Sequence, residues 1–126
     1  VPAVDHDARI RAVLRELITH NCLEDVGFNV AWDVGQAHAT LPGQTEPVQI
    51  QVIMYRIVLT MRSPLLGDRP DVAYLAHMRQ DLTGFAQGPS RSTLAKIVKE
   101  GVADLRRQVK EIHNEAIAGV NGKPAP

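Results

Sequence analysis

The sequence predicts an α+β domain: an N-terminal helix, a small, mostly antiparallel sheet with one long bent strand, and two C-terminal helices, the last one long. Three observations predict it. Apolar residues near the N-terminus recur at helical spacing, apolar residues from Phe28 to Met61 alternate at strand spacing, and the C-terminal third steps by threes and fours. The 126 residues are a common size for one domain, so residues 1–120 read as a single unit. Residues 121–126, polar and carrying two prolines, read as a disordered tail.

Composition narrows the function classes. Hydrophobic residues make up 44% and charged residues 22%, enough for a real core without staples. Lys plus Arg and Asp plus Glu number 14 each, so no global field steers the chain toward nucleic acid or an anionic membrane. Cys22 is the only cysteine, which excludes a disulfide framework or a Cys-rich zinc site and fits a reducing cytoplasm. The opening residues Val1 to Asp7 lack the basic and apolar regions of a signal peptide. The longest apolar runs, Val52 to Tyr55 and Ile57 to Leu59, are far too short to span a membrane.

The first helix is expected from about Asp7 to Cys22. Ile10, Val13, Leu14, Leu17 and Ile18 fall on one stripe, with Arg9, Arg11, Arg15 and Glu16 opposite. Asp5 or Asp7 serves as its N-cap, and Asn21 and Gly27 bracket its exit. Phe28 to Trp32 alternates as a half-buried strand. Gly35-Gln36 reads as a turn, with Ala37 to Leu41 returning as a short partner, and Pro42-Gly43 and Pro47 mark a loop.

Val48 to Arg62 fits two periodicities. As a helix, Ile50, Ile53, Met54, Ile57, Val58 and Met61 make a stripe. As a strand, Val48, Ile50, Val52 and Met54 alternate, and Ile57, Leu59 and Met61 continue on the other parity. A β-bulge near Tyr55-Arg56 would produce that change. The β-branched content and the flanking Pro47 and Pro64 favour a long bent strand, or two strands meeting at a kink. A loop over Ser63 to Pro70 and a helix over Asp71 to Phe85 follow. That helix would turn Val72, Leu75, Met78, Leu82 and Phe85 inward.

The last helix begins between Ser90 and Thr93 and runs to about Ala118. Val98, Val102, Leu105, Val109, Ile112 and Ala116 step at heptad spacing, the pattern of a helix–helix seam. At 1.5 Å per residue, roughly 27 residues extend about 40 Å. Val98, Val102, Leu105, Val109 and Ile112 are therefore candidates for a protein interface, with a long core helix as the equal alternative.

No chemistry-bearing constellation stands out. His6, His20, His38, His77 and His113 do not pair at metal-ligand spacing, and His77 with Asp81 reads as a surface pair. Gly84 to Thr93 has the glycines and hydroxyls of an anion loop but lacks the Gly-Lys-Ser/Thr ending, so Ser90 or Ser92 reads as an N-cap. Neither a catalytic group, a metal nor a cofactor is expected. Lys96, Lys99, Arg106, Arg107 and Lys110 cluster in the last helix and supply the alternative, a nucleic-acid contact. No aromatic residue accompanies them to stack on bases. A small-molecule pocket between sheet and helices is a third reading.

Ile57 to Arg62, the loop to Pro70, and Tyr74, Leu75, Arg79, Leu82 and Gly84 in the following segment resemble a stretch of tailed-phage neck and tail-completion proteins, the tail terminators among them. The opening helix and the Phe28 to Trp32 strand share that order, and the resemblance covers about half of the chain. A strict family pattern would return to strands where this chain runs into its heptad helix. The resemblance implies a non-enzymatic subunit that oligomerises or docks onto a larger complex, in the cytoplasm or a virion. Its partners would be itself or other structural proteins, and the loop Ser63 to Pro70 would be free to contact neighbours.

Overall fold

A computed structural model describes residues 2–81 and 89–121, with side chains over 7–80 and 89–119. The described elements run α1 (Pro2–His20), β1 (Val26–Ala39), β2 (Val48–Met61), a 3-10 turn (Pro64–Leu66), β3 (Val72–Asp81) and α2 (Arg91–Asn121). The three strands form one antiparallel sheet in the order β1-β2-β3. Both helices lie on the same face of it, so the fold is α+β in two layers.

The predicted stripe of α1 is its packing face. Ile10, Leu14 and Leu17 are buried, and Val13 and Ile18 pack against the core. The helix starts before Asp7, so Asp7 lies inside it and binds Arg11 (2.9 Å) rather than capping. At the other end Cys22 adopts φ 54°. Its amide donates to Thr19 O and that of Leu23 to Ile18 O, at 3.1 and 3.0 Å. This paired closure usually takes glycine at the left-handed position.

Three expectations are corrected in the sheet. β1 runs unbroken through Gly35-Gln36, where a turn was expected, because the register from Val26↔Met61 to Ala39↔Val48 is continuous. The bulge at Tyr55-Arg56 is absent for the same reason: β2 is one regular 14-residue strand. Its two parities instead mark two apolar faces. The segment expected as a helix over Asp71 to Phe85 is a strand as far as Asp81, paired from Met61↔Val72 to Val52↔Asp81. Its inward set is Val72, Tyr74, Ala76, Met78 and Gln80, at period two. Val72, Leu75 and Met78 satisfied helical spacing by coincidence, and pairing the free edge of β2 decides for the strand. Residues 82–88, which include Leu82, Gly84 and Phe85, lie outside the described residues, so one C-terminal helix stands where two were expected.

That helix, α2, starts at an N-cap: Ser90 Oγ accepts from the Thr93 amide at 3.2 Å. Asn121 closes it, and 122–126 of the expected tail lie outside the described residues. Its 31 residues extend about 46 Å, the same reach as a 14-residue strand at about 3.3 Å per residue. Its core contacts run from Leu94 to Ile112, and beyond them Ile117 is 43% exposed. Leu94, Val98, Val102, Leu105 and Val109 join Ile57, Leu59 and Tyr55 in one core. Arg91 ties its start to Glu16 of α1 (3.0 Å), and that ion pair holds the Glu16 carboxyl below its ordinary value.

The loop after β2 is braced from within, yet all of it but Ser63 and Leu66 is exposed. Arg62 donates to Arg69 O (2.7 Å) and Gly67 O (2.9 Å), Ser63 caps the 3-10 turn through the Leu65 amide, and Leu66 is buried.

Candidate interaction surface

The heptad seam is spent inside the chain. Val98, Val102, Leu105 and Val109 are buried and Ile112 is half-buried against the same core. Their spacing records packing onto the chain's own α1 and sheet, so a surface for a partner has to be sought elsewhere.

The basic cluster divides in two. Lys96 faces Glu100, and Arg107 binds both Asp104 (2.6 Å) and Glu111 (2.8 Å). Hydrogen bonds from Arg107 and Gln108 hold the Asp104 carboxyl down, and the two carboxylates push Arg107 further up. These charges are committed within the helix. Lys99, Arg106 and Lys110 make no ion pair among the described residues, and their spacing of seven and four puts them on one stripe.

That stripe borders two shallow grooves. One, of about 550 Å³, lies between the helices and is floored by Leu17, Leu23, Val98 and Val102, with Lys99 and Arg106 at its rim. The other, of about 350 Å³, lies over Met61, Leu65 and Val109, with Arg106, Lys110, His113 and Asp25 around it. An anionic group could rest along this stripe, but Asp25 lowers the field at one end.

The larger surface is the sheet face turned away from the helices. Register places five three-strand rows on it: Gly27, Thr60 and Ala73; Asn29, Val58 and Leu75; Ala31, Arg56 and His77; Asp33, Met54 and Arg79; and Gly35, Val52 and Asp81, where Val52 is buried and the open area ends. A sheet covered on one side normally alternates apolar inward with polar outward. Here Leu75 is 52% and Met54 38% exposed on the open side, and Val58 is half-buried beside them. A depression of about 320 Å³ lined by Asn29, Ala31, Arg56, Val58 and Leu75 runs along it. Arg56 reaches Asp33 at 3.7 Å across the face. None of these residues was expected from sequence to form an interface: Leu75 was placed on the inner side of a helix and Met54 and Val58 in an apolar stripe. The available signal was the apolar set Val48, Ile50, Val52, Met54 and Val58 on the even parity of β2.

Among the described residues, no group of three or more His, Cys, Asp or Glu could hold a metal ion. His77 sits on the open sheet face, His38 is exposed near the hairpin end of β1, His20 ends α1, and His113 is half-buried on α2. His77 and Asp81 are four apart on a strand, a separation of about 13 Å. The buried Tyr55 hydroxyl donates to Gln80 Oε1 at 3.5 Å, and burial pushes the Tyr55 phenol up. No described helix is long and apolar enough to cross a membrane.

No protein-family model, no curated protein and no solved structure matches the chain.

Proposed function

We propose that this chain is a non-enzymatic assembly protein that works by docking the open face of its sheet onto protein, its own or another subunit's. The observation that carries the reading is the exposed Leu75 and Met54 on the uncovered side of a two-layer fold. Covering them removes apolar surface from water at about 25 cal/mol per Å², and neither contributes to the core. The resemblance to phage neck and tail-completion proteins supplies one setting, a ring or collar of small subunits, in the cytoplasm during assembly or in the virion after it.

The test is molar mass by light scattering, alone and mixed with the products of adjacent genes, for the wild type and Leu75→Asp. A mass above the monomer that Leu75→Asp returns to the monomer, at unchanged circular dichroism, supports the reading. Masses that Leu75→Asp leaves unaltered refute it.

The stripe Lys99, Arg106 and Lys110 favours a second reading, contact with nucleic-acid phosphates. Arg106→Glu should then weaken binding across all sequences and lower the salt slope by about 1 to 2. No binding by the wild type at low salt disposes of it.

A further inference from the structure

We infer that the cover for the open sheet face is a second copy of this chain, its sheet packed face to face about a twofold axis parallel to β2. The inference rests on the docking reading above and names its partner. Its first support is relief. β1 lines its side of the face with Gly27, Asn29 and Ala31, and the depression is lined by the last two, by Arg56 and Val58 of β2 and by Leu75 at its β3 side. On β3, in the same row as Asn29, Leu75 stands out, 52% exposed. Hollow and ridge are thus at one level, on opposite sides of the central strand.

A rotation about an axis parallel to β2 exchanges the two sides and keeps the level. It sets Leu75 of each copy over the Asn29–Ala31 hollow of the other. The other in-plane twofold, perpendicular to the strands, sets hollow on hollow and Leu75 on Leu75, so the ridge fills neither hollow.

Charge selects the same axis. Asp33 on β1 and Arg79 on β3 share a row, so the rotation brings each carboxylate opposite the other copy's guanidinium. Arg56, nearest the axis, leans toward its own Asp33 (3.7 Å), and the two copies' Arg56 side chains therefore diverge. Closed twofold pairs are the commonest assembly of identical chains, and packed sheets hold their strands within about 30° of each other. The uncovered rows measure about 23 Å by 14 Å at the usual strand spacings. This is a small footprint beside the roughly 800 Å² per partner of standard interfaces. The pair should therefore be weak, forming only at high protein concentration.

The experiment uses the full chain with Cys22→Ser, carrying either Ala31→Cys or His77→Cys. These positions share a row on opposite strands. Each is treated at high concentration with a bismaleimide of about 10 Å reach, the spacing of packed sheets, separately and mixed. Light scattering of the uncoupled protein runs in parallel. The expected result is a mass rising from monomer to dimer, with the covalent dimer forming several-fold faster in the mixture than in either variant alone. A dimer in which Ala31→Cys links to itself overturns the axis. A strict monomer to 1 mM overturns the second copy as partner. The docking reading survives that outcome if a foreign subunit's complex is lost in Leu75→Asp, and falls with it otherwise.

Discussion

Gly101 marks the closest approach of α2 to the sheet, and replacing it with alanine should destabilise the fold. A Cβ there would stand 2.5 Å from Leu59 Cδ1 and 2.7 Å from Tyr74 Cδ2. Carbon atoms pack at roughly 3.5–4.0 Å, so about 1 Å must be found. Leu59 is fully buried, so its methyl has no empty space to enter, and the Tyr74 ring belongs to the same packed layer. Overpacking of this kind costs about 1–3 kcal/mol. Alanine returns about 0.8–1.0 kcal/mol through its better helix propensity, leaving a net loss of up to about 2 kcal/mol. Gly119, in the same helix, has nothing within 4 Å of its added Cβ. Gly119→Ala should collect only the propensity gain, a stabilisation of up to about 1 kcal/mol. Urea unfolding followed by circular dichroism compares the two. A Gly101→Ala variant that gains stability as Gly119→Ala does would refute the close helix–sheet contact.

Cys22→Gly should raise stability by about 1 kcal/mol, since glycine adopts the left-handed turn after α1 without the steric cost a side chain pays there; a loss in urea unfolding contradicts the closure described. Burial raises the Tyr55 phenol above its ordinary value. Its contribution is therefore full below about pH 10 and lost as pH rises through the higher folded value. Tyrosinate absorbance from Tyr55, isolated by comparison with Tyr74→Phe, should appear together with the loss of circular dichroism, and ionisation with the fold intact would contradict this. Leu105→Asp places a charge at a fully buried position and should abolish cooperative unfolding, a cost above about 4 kcal/mol; normal stability would show that the seam is not core.

What the sequence made legible was what local periodicity determines. The stripe of α1, the strand character of Val48 to Met61, the Ser90 cap and the length of α2 all follow from spacing and cap chemistry within one element. The errors lie where pairing between elements decides. Val72 to Asp81 carries apolar residues that satisfy both 3.6- and 2-residue periods, and only the free edge of β2 selects the strand. Gly35-Gln36 has turn composition, yet it lies opposite Val52-Gln51 in an unbroken ladder. The candidate site was misplaced for a related reason. Heptad spacing says that a helix face is covered, but it does not say by what, and here α1 and the sheet cover it.

The parity change in β2 carries the most functional information, because a bulge and a second covered face leave the same mark in sequence. A bulge would shift Ile57, Leu59 and Met61 to the face of Val48 to Met54 and leave one side of the sheet polar. Continuous register keeps the two sets on opposite sides, so Met54 and Val58 look away from the helices. An exposed apolar row on a central strand is a liability unless a partner shields it. The chain's own described elements do not shield it, since both helices are engaged on the other side. The residues that build the fold and those offered to a partner thus lie on opposite faces of one strand. Ile57 and Leu59 serve the core, and Met54 and Val58 lie on the face proposed for the contact. A substitution on the first face should act through stability and on the second through assembly alone.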